Sequence, residues 1–130
     1  MIQIVKDSDT RPWFFLQTAH TTYGMWVMET GHLEHLYYGE RITVDSQDPS
    51  SCTPLVIQRA FAPGNTCTYD REHPQISMED VCLEVGTLGK GDIREPFLEV
   101  RFTDGSVTSD FTFDSYEVLT LKEREQWLQD

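Results

Sequence analysis

WFFLQTAHTTYGMWVMETGHLEHLYYGE, residues 13–40, is the stretch that decides the fold. It contains three apolar and aromatic runs, WFFLQTA, TTYGMWVMET and LEHLYYGE, each of strand length and separated by small or polar residues. The break at Gly31 is typical of a tight turn. Short runs joined by turns of this kind predict antiparallel strands that follow one another in a meander.

The last of these runs predicts a strand with two covered faces. Side chains alternate between the faces of a strand, so each face takes every second residue. The run places Leu33, His35 and Tyr37 on one face and Glu34, Leu36 and Tyr38 on the other. Since neither set is purely polar, both faces are expected to be covered, as in a layered sandwich.

Residues 45–96 differ from the first forty because proline and glycine are frequent and no period is visible. DSQDPSSCTP and GTLGKGDIREP have the composition of loops. LVIQRAF predicts a short strand, and ISMEDVCLEV predicts a turn followed by a strand. A loop-rich stretch of this length is usually functional, interfacial or disordered, and its apolar residues favour an ordered one.

The C-terminal part again predicts β-structure. FLEVRFTDGSVTSDFTF, residues 97–113, has alternating runs on either side of Asp104-Gly105, the strongest short signal for a hairpin. Alternation of Leu98, Val100 and Phe102 with polar residues predicts one buried face. SYEVLTL predicts another strand, and the tail KEREQWLQD a short helical turn. We therefore expect residues 1–130 to form one all-β domain, an antiparallel β-sandwich with a long irregular loop region.

Charge excludes two classes of partner. Twenty-two acidic residues face ten basic ones, for a net charge of −12. Nucleic-acid binding requires a basic surface, and anionic membranes repel an acidic one, so neither partner is expected. No targeting or membrane-spanning segment is evident. Cys52, Cys67 and Cys82 are odd in number and form no C-x-x-C pair, which favours free thiols and a cytoplasmic location.

The sequence gives no sound catalytic or metal-binding motif. His32 and His35 are three residues apart, a spacing that places them on opposite faces of a strand. The three cysteines with His73 match no structural zinc spacing. A cysteine nucleophile would need a base beside it, which the sequence cannot place. With twenty-two acids, a pair suited to glycoside hydrolysis would arise by chance and carries no weight. From these spacings we expect no metal site.

Two further groups have both a structural and a binding interpretation. GKGDIREP lacks the phosphate-loop pattern and favours a tight turn with a local Asp92–Arg94 pair, although an interface or ligand contact stays open. The aromatic residues of the first strands favour a core, with a sugar-stacking platform as the alternative. They are Trp13, Phe14, Phe15, Trp26, Tyr37 and Tyr38.

Taken in order, three segments resemble the start of the glycoside hydrolase family 36 α-galactosidases. FLQTAHTTYGMWVMETGHLEHLYYGERI resembles the family's opening strands, in which a tyrosine is followed by G-x-L-x-H-x-Y-x-G. RAFAPGNTCTYDREHPQISMEDVCLEVGTLGKGDIREP resembles the next stretch, with its Pro-Gly-Asn turn and G-x-G-D-x-R-x-P segment, and DGSVTSDFTFDSYEV the strands that follow. The first pattern corresponds to Tyr23, Gly31, Leu33, His35, Tyr37 and Gly39.

The resemblance implies a fold and an activity for the parent enzyme. Such enzymes have an N-terminal β-supersandwich, a (β/α)8 barrel and a small C-terminal β-domain. They hydrolyse terminal α-galactosides such as melibiose and raffinose with retention, using two barrel aspartates and no cofactor. No stretch of this sequence resembles the barrel motifs that hold that pair. The resemblance therefore implies a non-catalytic chain that packs on a barrel absent from it.

The resemblance also implies roles for a few residues. The family's N-terminal domain helps to build oligomers, often tetramers, and in some members one of its loops reaches a neighbouring subunit's active site. The corresponding region runs from Gln58 to Arg71, which makes Arg71 the first candidate for a galactoside contact and Gln58 the second. Asp92 and Arg94 are candidates for an interface or loop contact.

The family's supersandwich is more than twice as long as this chain, and the sequence after Thr120 departs from the usual continuation. A truncated chain, a shortened reading frame or a small protein derived from the family would each explain this. The alternative function is a free-standing β-sandwich that binds carbohydrate or a protein without catalysis. Its test would be sugar binding lost on Trp13→Ala or Trp26→Ala.

Overall fold

The structure is a computed structural model that describes residues 1–6, 11–56 and 68–120. Four strands form one antiparallel sheet in chain order: β1 (Ile2–Lys6), β2 (Pro12–Gln17), β3 (Thr21–Val27) and β4 (Leu33–Glu40). The predicted meander and the all-β antiparallel class are thus confirmed. Neither of the two short helices in the described ranges is long and apolar enough to cross a membrane.

The turn between β3 and β4 depends on glycine. Gly31 has a φ of +85°, a backbone conformation that residues with a Cβ rarely adopt. Its amide donates to the Met28 carbonyl at 2.9 Å, and the Met28 amide donates to the His32 carbonyl at 2.8 Å. The predicted break therefore forms a tight turn, and it places His32 immediately before β4.

The main core lies on one face of the sheet. Val5, Trp13 and Phe15 point from β1 and β2 into a cluster that Val44 and Cys52 complete from the next segment. Cys52 belongs to a 3₁₀ helix, Pro49–Leu55, in a stretch predicted to be a loop. Asp48 caps this helix by accepting a hydrogen bond from the Ser50 amide, which explains why a proline- and serine-rich sequence forms helical turns here.

A second, smaller core lies beyond the β3–β4 turn. It joins Met28 to Ile76, Met78 and Val81. Met78–Asp80 is a short 3₁₀ helix, and Leu83 makes a single antiparallel bridge with Glu34. The predicted turn and strand of residues 76–85 is therefore a helical turn followed by one bridge at the edge of β4.

A β-bulge in β4 corrects the predicted faces. The register shifts between Gly24 and Met25, so that His35 pairs with Met25 while Tyr37 pairs with Gly24. His35 and Tyr38 consequently share a face, and both rings contact Tyr23, with centroids 4.9 and 5.9 Å from it. The prediction that Tyr37 lies on the face of His35 is wrong because one extra residue reverses the alternation after it.

The predicted C-terminal strands are also wrong. The turn is present, because Gly105 has a φ of +87° and its amide donates to the Phe102 carbonyl. Residues 97–120, all within the described ranges, nevertheless contain no strand. The segment makes isolated hydrogen bonds instead of pairing along a strand: the Ser109 amide donates to the Leu88 carbonyl and the Phe113 amide to the Gly31 carbonyl. Leu98 and Phe102, predicted to be buried, are 40% and 48% exposed, since no apolar layer covers them here.

The remaining sequence predictions fall partly outside the described residues. The predicted strand LVIQRAF is described only at Leu55 and Val56, neither of which lies in a strand. The tail, residues 121–130, for which a short helical turn was predicted, lies outside them, as does Cys67. Cys52 and Cys82 are free thiols, the first buried and the second exposed.

Candidate functional site

The loop of residues 69–76 presents Arg71 to solvent. The Tyr69 amide donates to the Ile76 carbonyl at 2.8 Å and closes the loop at its base. The Ile76 amide donates to the His73 carbonyl at 3.1 Å and forms a second turn inside it. Arg71 lies at the exposed tip, where its guanidinium is accessible to a ligand. Gln58, the second candidate, lies outside the described residues.

Asp70 shapes the tip of this loop. Its Oδ1 accepts hydrogen bonds from the Glu72 amide at 2.9 Å, the His73 amide at 2.7 Å and His73 Nδ1 at 2.8 Å. Desolvation alone would raise the pKa of Asp70, but the hydrogen bonds from His73 outweigh it and hold the pKa below its ordinary value. The carboxylate thus fixes the backbone of the two residues that follow Arg71.

A buried polar network connects the base of the loop to the sheet. The Tyr69 hydroxyl donates to Asp110 Oδ2 at 2.6 Å. Asp110 Oδ1 lies 2.6 Å from Nε2 of His32, and Nδ1 of His32 lies 2.7 Å from the Thr30 hydroxyl. Burial, followed by the bond to Asp110, raises the pKa of Tyr69 to about 12. The hydroxyl therefore remains a proton donor at neutral pH.

Asp92 and Arg94 form the local pair that the sequence favoured. Arg94 donates from Nε and Nη2 to the two oxygens of Asp92, each at 2.8 Å. The hydrogen bond from Arg94 lowers the pKa of Asp92, and the bond to Asp92 raises that of Arg94. Nη2 also donates to the carbonyls of Met78 and Val81, so the pair holds the 3₁₀ helix between them. An interface role for these two residues stays a prediction.

The tyrosine that precedes the G-x-L-x-H-x-Y-x-G pattern and the histidine within it meet around Glu84. The Tyr23 hydroxyl lies 2.7 Å from both oxygens of Glu84, and His35 Nδ1 lies 3.3 Å from one of them. Burial, with the bond to Glu84, raises the pKa of Tyr23 to about 12. The cluster ties the outer face of β3 and β4 to residues 82–84, a structural task.

The aromatic set lies mostly in the core. Phe15 is fully buried, and Trp13 is 5% exposed with its ring 4.7 Å from that of Trp26. Trp26 in turn donates to Glu34 at 2.8 Å. A sugar-stacking platform would need exposed rings, and of these residues only Tyr38 is largely exposed, at 70%. The Trp13→Ala test would therefore act through the core and not through a sugar contact.

Within residues 1–6, 11–56 and 68–120, no group of three or more His, Cys, Asp or Glu side chains is arranged to hold a metal ion. His32 and His35 have separate partners, Asp110 and Glu84. His73 pairs with its neighbour Asp70.

The comparisons with known proteins identify the fold family. Residues 31–128 match the Glycosyl hydrolase family 36 N-terminal domain. The chain belongs to this family. It is 38% identical over 117 residues to the bifunctional alpha-galactosidase/sucrose kinase AgaSK of Mediterraneibacter gnavus. The match covers 88% of this chain but 12% of that protein, so the chain spans about an eighth of the length of this relative.

Solved structures agree with the assignment to the family 36 N-terminal domain. The alpha-galactosidase from Lactobacillus brevis superposes with a TM-score of 0.69 and 29% identity, over 87% of this chain and 14% of that one. The galactosidase domain of AgaSK gives a TM-score of 0.67 and 30% identity, over 88% and 15%. In both, this family 36 domain corresponds to a small part of a much larger enzyme.

Proposed function

We propose that this chain is the first part of the N-terminal domain of an α-galactosidase, folded as one β-sandwich domain over residues 1–130 and not catalytic by itself. The observation that carries the proposal is the family match over residues 31–128, with relatives that are about six to seven times as long as this chain. In the parent enzyme, hydrolysis of terminal α-galactosides such as melibiose and raffinose belongs to the barrel domain.

Hydrogen bonding of the acidic side chains supports a non-catalytic role. A retaining glycosidase needs two carboxyl groups about 5 Å apart that face the sugar. Three of the described acids are hydrogen-bonded to protein groups instead. Asp70 binds its own loop, Asp92 binds Arg94, and Asp110 binds Tyr69 and His32. These acids stabilise the fold, and nothing in their surroundings prepares a nucleophile.

Exposed apolar residues support a role in packing. Ile93 is 83% exposed and Phe97 79%, and both lie beside the Asp92–Arg94 turn. Leu98, Phe102 and Phe111 are each at least 40% exposed in the segment that lacks strand partners. Exposed apolar groups of this density mark surfaces that other protein parts cover. We assign this surface to contacts with the rest of the sandwich and the barrel, and to homo-oligomer formation.

The free thiols Cys52 and Cys82 agree with a cytoplasmic location, because reducing compartments keep such cysteines unpaired. This location is part of the proposal.

The substrate-side role belongs to Arg71. Its guanidinium lies at the tip of a closed, hydrogen-bonded loop and has five N–H donors for sugar hydroxyls. In an oligomer, such a loop is suited to reach the active site of a neighbouring subunit and bind the galactoside there.

Arg71→Ala in the α-galactosidase polypeptide that carries this domain is expected to raise KM for raffinose at least 10-fold. Loss of a charge-assisted hydrogen bond to a substrate removes about 1.5–3 kcal/mol of binding, and kcat should change less than twofold. Steady-state kinetics would measure both constants. Arg41→Ala, at another exposed arginine, is the matched control. An unchanged KM in the Arg71 variant would refute the substrate-side role.

A further inference from the structure

The network that joins Tyr69, Asp110 and His32 brings together three distant parts of the chain. Asp110 is 41 residues from Tyr69 and 78 from His32. Asp110 reaches this place because its segment is fixed on both sides: the Ser109 amide donates to Leu88, and the Phe113 amide donates to Gly31. The carboxylate is thereby held against the β3–β4 turn.

We infer that Tyr69, Asp110 and His32 are positioning residues that hold the Arg71 loop in register with the sheet, an inference that rests on the proposed substrate-side role of Arg71. The three residues act through Arg71 and do not contact the substrate. They determine where the guanidinium points relative to a galactoside bound in the adjoining active site.

The geometry makes the network a rigid attachment. His32 is 2% exposed, and its two ring nitrogens are both engaged, one with Asp110 and one with Thr30. An ionised carboxylate only accepts hydrogen bonds, so His32 Nε2 and the Tyr69 hydroxyl both donate to Asp110. The edge of the His32 ring also packs on Tyr69, with centroids 4.9 Å apart at 87°. Lys90 lies 3.9 Å from Asp110 Oδ2 and adds a positive charge at the same point.

The loop is also attached on its C-terminal side, where Gln75 Nε2 donates to Glu29 Oε1. Ile76 is buried with Met28 and Met78 in the second core. Arg71 lies between the two attachments, and the contacts of its immediate neighbours are within the loop itself. If the Tyr69 hydroxyl is removed, the loop keeps its attachments at Gln75 and Ile76, but its N-terminal end loses the hydrogen bond to Asp110. The network therefore fixes the N-terminal side of the loop, from which Arg71 is two residues away.

The loop is first tested in the 130-residue chain by amide hydrogen exchange. Tyr69→Phe keeps the ring and removes the hydroxyl, and Asp110→Asn keeps the shape and removes the charge. In both variants the Tyr69 and Ile76 amides are expected to exchange at least 10-fold faster, while the Phe15 and Val27 amides stay unchanged. In Asp110→Asn, the pKa of Tyr69 should also fall below that of the unaltered chain, measured by NMR titration, while burial keeps it above its ordinary value.

Matched controls are Tyr116→Phe and Asp114→Asn, which make the same chemical changes on an exposed segment outside the network. Neither is expected to alter exchange in the loop. If the loop amides of the Tyr69 and Asp110 variants exchange as slowly as those of the unaltered chain, the network does not hold the loop and the inference is overturned. General acceleration that includes the Phe15 amide would likewise overturn it, since the residues would then support the whole fold.

Kinetics in the longer α-galactosidase separate this inference from the proposed function. Tyr69→Phe is expected to raise KM for raffinose about 3-fold, less than Arg71→Ala, with kcat nearly unchanged. The double variant should match Arg71→Ala alone, because a positioning residue has no effect once its target is gone. If Arg71→Ala raises KM and Tyr69→Phe does not, the positioning inference fails while the proposed function stands. If Arg71→Ala has no effect, the proposed function fails, whatever the exchange data show.

Discussion

Replacing Phe15 with alanine is expected to lower the free energy of unfolding by about 3–5 kcal/mol. Phe15 is fully buried at the centre of the main core, where Val5, Trp13 and Val44 surround it. Its ring crosses the backbone of Gly24 on the neighbouring strand so closely that a Cβ at Gly24 would lie 3.1 Å from it. Because Gly24 has no side chain, it cannot fill the cavity that Phe15→Ala leaves.

Urea denaturation followed by tryptophan fluorescence measures the loss in Phe15→Ala. Phe102→Ala is the matched control, because the same substitution at a side chain 48% exposed should cost much less, about 0.5–1 kcal/mol. Equal decreases in the free energy of unfolding for the two variants would show that the main core does not lie on the face of the sheet that carries Phe15.

Gly89→Ala is expected to have the second largest effect, about 2–5 kcal/mol in the free energy of unfolding. Gly89 has a φ of +100°, which strains any residue with a Cβ. That Cβ would also lie 2.5 Å from Oγ1 and 2.6 Å from Cγ2 of Thr108. Strain and collision therefore act together at this position.

Gly105→Ala separates the two causes. Gly105 has a similar φ, +87°, but its Cβ would meet no atom within 4 Å. Gly105→Ala should therefore lower the free energy of unfolding through backbone strain alone, by about 1–3 kcal/mol. Adding Thr108→Gly to Gly89→Ala removes the collision and should recover the difference, as measured by urea denaturation. A double variant no more stable than Gly89→Ala would rule out contact with Thr108 as the cause.

Local patterns of the sequence predicted the first half of the fold well. Alternating runs and the glycine at position 31 are sufficient to specify a meander, because each strand pairs with its nearest neighbour in the chain. The bulge in β4 was not predicted, because a bulge shows in the sequence only as a break in the alternation of polar and apolar residues. A run with apolar residues on both faces has no such alternation to break. The bulge reversed the face of Tyr37.

The second half was predicted less well for a physical reason. A strand needs a continuous ladder of hydrogen bonds to a neighbouring strand, and within the described ranges residues 97–113 make only scattered backbone hydrogen bonds, to Gly86, Leu88 and Gly31. The alternation in this segment is real, but Leu98 and Phe102 remain exposed. The Asp104-Gly105 turn was predicted correctly because it depends only on local backbone conformation.

In the candidate site, too, local sequence indicated some residues and the folded chain was needed to find the others. Arg71 was proposed from a resemblance between segments, and the structure presents it at an exposed loop tip. The residues that fix the loop were missed: His32 was considered only as a metal ligand, and Asp110 only as one acid among many. No local pattern links residues 78 positions apart, so only the folded chain brings them together.

The most direct test of the central claim is hydrolysis of a chromogenic α-galactoside by the purified 130-residue chain, beside the same chain extended through a barrel domain. The chain alone is expected to show no rate above the uncatalysed reaction, while the extended polypeptide releases the chromophore. Hydrolysis by the chain alone, abolished by substitution of one of its own carboxylates, would contradict the assignment of catalysis to the barrel.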